Sequence, residues 1–113
     1  MAQSHKHLMA TVIVDAENVR RSQWPNVSRG DLVRRARAWA KRNGHELLVV
    51  FDGDAPENAP DLVSTRYADD EIVRLAEAAG GEVWVVTSDR ELRDRLGDNV
   101  VRVVGGGTFA GEI

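Results

Sequence analysis

A chain of 113 residues with a formal net charge of −3 and no cysteine can bury the core of one domain, and it has neither disulfides nor thiolate metal ligands. Any metal must therefore sit on oxygen or histidine, and a globally basic nucleic-acid surface is excluded. No window approaches the ~20 apolar residues of a membrane span, and the N-terminus lacks an apolar stretch of signal-peptide length, so the chain reads as a soluble cytoplasmic protein without a membrane partner.

Residues 1–9 lack periodicity and read as a flexible tail carrying His5 and His7, followed by a single domain over 10–113. ATVIVD, residues 10–15, is a strand that stops on Asp15. Residues 17–27 (ENVRRSQWPNV) read as a loop with one helical turn. Ser28 with Asp31 resembles an N-cap, and Leu32, Val33, Ala36, Trp39 and Ala40 recur at helical spacing until Gly44 ends the helix. ELLVVFD, residues 46–52, is apolar at consecutive positions, as in a strand covered on both faces of a parallel sheet, and it too ends on an aspartate. Residues 53–67 hold two of the three prolines and read as a surface loop of functional length. A second helix over 68–79 buries Ile72, Val73, Leu75, Ala76 and Ala79 and stops at Gly80-Gly81. EVWVVTSD, residues 82–89, is a third strand ending on Asp89; the short helix RELRDRL and the fourth strand VVRVV follow. GGGTFAG, residues 105–111, matches a dinucleotide fingerprint only loosely and reads as a flexible exit loop. Strands alternating with helix-length crossovers imply an α/β fold with a mainly parallel, four-stranded sheet and right-handed connections.

Ligand crevices in such sheets lie outside the carboxyl ends of the strands, so Asp15, Asp52 and Asp89 should meet at one edge. Asp69 shares a helix face with Ile72, Val73 and Ala76 and points toward the sheet, whereas Asp70 lines up with Arg74 and Glu77 and points outward. Each acid has a structural alternative. Asp15 can cap a short helix, Asp52 can shape a D-G turn, Asp69 and Asp70 can favour a helix dipole, and Ser88 with Glu91 can form a capping box that leaves Asp89 in the first turn. Together, however, four carboxylates within roughly 4 to 8 Å repel, so some must protonate or bind a cation. Oxygen ligands at that density suit Mg²⁺ or Mn²⁺.

Between residues 20 and 42 stand Arg20, Arg21, Arg29, Arg34, Arg35, Arg37, Lys41 and Arg42 against Asp31 alone, a local charge of +7. A solvated helix face is the bland reading of that stretch; a flank that meets phosphate is the other. An acid cage beside a basic flank points to metal-assisted attack of water on a phosphodiester. There is no P-loop lysine motif, and His45 is the only histidine outside the tail, which leaves no Ser-His-Asp arrangement. An aspartate-nucleophile phosphatase wants a second Asp two positions after the first and a later lysine; Glu17 stands at that place and no lysine follows Lys41.

Val14, Asp15 and Asn18 in V-D-x-x-N, the strand end VVFD at Asp52, YADDEI around Asp69 and VTSD at Asp89 together resemble the NYN domains of the PIN-like nuclease superfamily, closest to the YacP-like branch. The resemblance covers about residues 11–104. It implies a PIN-like three-layer sandwich and an endonuclease of single-stranded RNA, ribosome-associated mRNA among the candidate substrates, that uses Mg²⁺ or Mn²⁺ and leaves a 5′-phosphate. Carried over by position, Asp15, Asp52, Asp69 and Asp89 would bind the metal, and Asn18 would orient the first acid or the scissile phosphate. Arg20, Arg21, Arg66, Ser88 and Arg90 would contact substrate, with Thr87 and Ser88 on a metal-bound water and Tyr67 or Trp24 stacking a base. Glu17 stands where such relatives usually have an uncharged residue. A catalytically weak RNA- or ribosome-binding module of the same fold is the alternative.

Overall fold

The computed structural model describes residues 10–113; the tail expected over residues 1–9 lies outside the described residues. In chain order the elements are β1 (Thr11–Asp15), α1 (Ala16–Arg21), α2 (Arg29–Asn43), β2 (Glu46–Asp52), β3 (Leu62–Thr65), α3 (Ala68–Ala78), β4 (Val83–Val86), α4 (Arg90–Asp94), β5 (Val100–Val104) and α5 (Gly106–Glu112). The five strands form one sheet in the order β3-β2-β1-β4-β5, and every neighbouring pair is parallel.

That arrangement follows from the alternation of side chains along each strand. Val12 and Val14 of β1 pack with Val49, Phe51, Val86 and Val104 against α2 and Phe109 of α5, while Ile13 packs with Val50, Val83 and Val85 against Ile72 and Ala76 of α3 and Leu92 of α4. Two cores, one on each face of the sheet, give three layers. Val12, Ile13 and Val14 are completely buried, and each such side chain contributes about 1.5–3 kcal/mol by leaving water. Helix α2 buries all five residues of its apolar stripe, its N-cap Ser28 accepts from the Asp31 amide, and Gly44 ends it in the left-handed region at φ 71°. Among the described residues no helix is long and apolar enough to cross a membrane.

The structure corrects the reading of the sequence at four places. A fifth strand, β3, lies inside the stretch read as a loop; it pairs at the sheet edge with β2, where the Val49 amide donates to the Asp61 carbonyl at 2.8 Å. An edge strand tolerates the adjacent Pro60, because its outer side needs no ladder. Residues 16–21 are a helix, not a loop with a single turn. The expected exit loop is also a helix, α5, held by Phe109, which is 1 % exposed and sits edge-on to Trp39 with ring centroids 5.0 Å apart. Finally, β4 stops at Val86, so Asp89 stands beyond the strand rather than at its last residue.

Candidate active site

From β1 the chain moves outward through β2 to β3, then returns through α3 to lay β4 on the opposite edge of β1 and β5 beyond it. The order thus reverses between β1 and β4, and crevices of open parallel sheets form at that reversal, outside the carboxyl ends. Asp15 is the last residue of β1, and Asp89 follows β4 by three residues. A pocket of about 290 Å³ lies there, lined by Asp15, Asp52, Asp69 and Asp89 together with Glu17, Asn18, Arg21 and Ala68. All four acids that the sequence singled out come to this pocket, each from a different segment.

Asp15 is the deepest of them, 8 % exposed. Its carboxylate makes no capping hydrogen bond to α1. Instead the fully buried Thr87 hydroxyl donates to Asp15 Oδ2 at 2.9 Å, and Thr87 Oγ1 accepts from the Asp89 amide at 3.1 Å. One hydroxyl therefore ties two acid-bearing segments together, and the Thr87 amide is anchored on the Val104 carbonyl of β5. Burial pushes the Asp15 carboxyl up to about 6; the Thr87 bond opposes that rise, the charges of Asp69 and Asp89 add to it, and the Asn18 amide lowers it without completing a cap. Burial also raises the Asp69 carboxyl, with Asp89, Asp70 and Asp52 pushing the same way and Arg95 opposing them. Mutual repulsion among the acids is thus written into the protonation of two of them.

Asp89 combines two roles. Its Oδ1 accepts from the Leu92 amide at 3.3 Å as the N-cap of α4, and the residue also lines the pocket. Ser88 is not the cap expected of a capping box: its hydroxyl accepts from the Gly106 amide at 2.8 Å, and its own amide donates to Asn18 Oδ1 at 2.9 Å. Asn18 consequently fixes the loop after β4 to α1, which is a supporting task beside the acids. Asp52 is exposed at the end of β2, followed by Gly53 at φ 110°, so the D-G turn and the pocket share it.

The basic residues divide sharply. Arg21 lines the acid pocket and Arg66 lines a cavity that adjoins it. Arg20 is turned inward: it donates to Glu17 Oε1 at 2.6 Å and to the Val27 carbonyl at 2.7 Å, because the carboxylate of Glu17 is buried and needs a partner. Arg34 pairs with Asp31, and Arg37 forks onto both oxygens of Asp61, so part of the expected basic flank is neutralised within the molecule. Arg90 is exposed at the first turn of α4. Sequence reasoning missed Arg95, which pairs with Asp70 at 2.7 Å beside the site; a residue 25 positions away from its partner leaves no local signal.

Oxygen donors alone, repelling one another in an open pocket, are the donor set that Mg²⁺ or Mn²⁺ accepts. Among the described residues no three acids already close on a single point. Mg²⁺ needs no such closure, since it is held by one or two carboxylates and otherwise by water and phosphate oxygens. The residues present fit the ion. Comparison with protein-family models, with curated proteins and with solved structures returns no match to this chain.

Proposed function

We propose that this chain is a metal-dependent endoribonuclease of the PIN-like, NYN type that hydrolyses phosphodiester bonds of single-stranded RNA in the cytoplasm, ribosome-associated mRNA among its substrates. The reading is carried by the meeting of Asp15, Asp52, Asp69 and Asp89 in one pocket at the reversal of strand order. These carboxylates would hold Mg²⁺ or Mn²⁺, which would supply water of lowered pKa and neutralise charge on the phosphate oxygens. Asp15 would hold the ion in its ionised form, with Oδ2 kept in a fixed direction by the Thr87 hydroxyl that donates to it. Arg21 offers a planar guanidinium to a phosphate oxygen at the same pocket. Water would add to phosphorus as a pocket carboxylate takes its proton, and the bond to the 3′ oxygen would break, the leaving oxygen taking a proton from solvent, to leave a 3′-hydroxyl and a 5′-phosphate.

The test uses purified protein with Mn²⁺ or Mg²⁺, a labelled unstructured RNA and a duplex DNA, with Asp15→Asn and Asp89→Asn as controls. Metal-dependent cutting of the RNA, lost in both variants, is the expected result. Absence of metal-dependent RNA cleavage, with ribosomes as well as without them, refutes the enzyme and leaves the binding-module alternative.

A further inference from the structure

Tyr67 occupies the N-cap of α3, a position where Ser, Thr, Asp or Asn would satisfy the helix's first amides, yet its side chain makes no capping bond. The residue is 68 % exposed, so packing does not explain it either. The Tyr67 amide, by contrast, is fixed, donating to Thr65 Oγ1 at 3.2 Å. A large aromatic ring is thus presented from a held backbone with no structural task. It lines a cavity of about 310 Å³ with Arg66, Asp70 and Arg95, and this cavity shares Asp52, Ala68 and Asp69 with the acid pocket. The volume lies at the small end of ligand sites, enough for one nucleotide unit and too little for a duplex.

We infer that this cavity is the subsite for the nucleotide next to the scissile phosphate, its base stacked on Tyr67 and its flanking phosphate held by Arg66 and Arg95; the inference rests on the nuclease reading above. Stacking on a single ring is base-tolerant, so the subsite favours single strands without reading sequence. Arg95 is bound to Asp70 in the free protein, and a phosphate must displace that carboxylate. Asp70 therefore opposes binding, and its removal tightens it.

The experiment first maps where wild-type protein cuts an RNA oligonucleotide, then measures KM and kcat on that oligonucleotide and on a copy made abasic beside the cut. Tyr67→Ala raises KM roughly tenfold with little change in kcat, the scale of one lost base stack, and Tyr67→Phe restores it. The abasic copy raises the wild-type KM by a similar factor but adds nothing to Tyr67→Ala. Arg95→Gln raises KM and reduces the salt slope by about 0.7, whereas Asp70→Asn lowers KM severalfold. Melting curves of the four variants close to wild type separate these effects from misfolding, as the exposure of the substituted residues leads one to expect. An RNA-cutting wild type whose KM is unmoved by Tyr67→Ala and Asp70→Asn, or abasic and Tyr67→Ala effects that multiply, overturns the subsite and leaves the nuclease standing. A wild type that never cuts RNA overturns both.

Discussion

Replacing Asp15 by Asn should make the metal-free protein more stable, although it removes one of the carboxylates proposed to bind metal. In the folded chain the Asp15 carboxyl is raised from its ordinary 3.8 to about 6. A folded value above the unfolded one means that the native state disfavours the charged form. The penalty is complete above about pH 6 and is relieved as pH falls from there toward 3.8. Two pKa units correspond to about 3 kcal/mol. Asn keeps an oxygen to accept from Thr87, but its amide hydrogens need new partners in a site where Asp15 is only 8 % exposed, which reduces the gain to about 1–2 kcal/mol. Thermal unfolding in EDTA at pH 7.5 should then place Asp15→Asn roughly 4–10 °C above wild type. Between pH 6 and 4 the difference should shrink, because wild type sheds its own penalty there. Added Mn²⁺ should raise wild type more than the variant, since a ligand stabilises only the state that binds it. A variant that melts at or below wild type at pH 7.5, with a gap that does not change with pH, would falsify the account of Asp15 as a buried charge under repulsion.

A Cβ added at Gly106 would lie 2.2 Å from Asn18 Oδ1, so Gly106→Ala must push Asn18 off the Ser88 amide; a loss of about 1–3 kcal/mol in urea unfolding is expected, together with reduced cleavage, and an unperturbed variant would show that the contact yields freely. His45 accepts the Ala10 amide on Nδ1, and burial, helped by Arg102, holds its pKa below the ordinary 6.5, so the fold resists its protonation while the unfolded chain does not. Wild type should accordingly lose stability relative to His45→Asn as pH drops below about 6.5; a difference between the two that does not change with pH would assign any slope to other groups.

The legible parts of the molecule were those whose signals are local. Helix α2 has a cap, a stop and an apolar stripe within one continuous segment, and Leu32, Val33, Ala36, Trp39 and Ala40 are buried as the spacing requires. Asp15 and Asp52 were visible because strand ends in a parallel sheet share an edge, whereas Asp69 comes from the first turn of α3 and Asp89 from the turn after β4. Strand β3 was not, since its four residues sit among prolines and become a strand only by pairing with β2. Helix α5 was hidden by its glycines, whose weak propensity is overridden when Phe109 enters the aromatic cluster around Trp39. The pairing of Glu17 with Arg20 carries a signal at i and i+3, but only once residues 16–21 are read as a helix. Asp70 and Arg95 meet through tertiary structure alone.

A sheet whose first strand ends up in the centre grows from both edges of that strand in turn. One edge of β1 is filled by β2, while the other stays open until β4 arrives, and the bond from Thr87 to Asp15 closes across 72 residues of chain. Loop closure of that length comes late relative to local helix and hairpin contacts. The acid pocket consequently closes only once β4 has docked on β1. Chains that terminate early, or that open between β1 and β4, keep Asp15 and Asp52 but lose Thr87 and Asp89 from their side. Such incomplete forms bring only part of the acid set together.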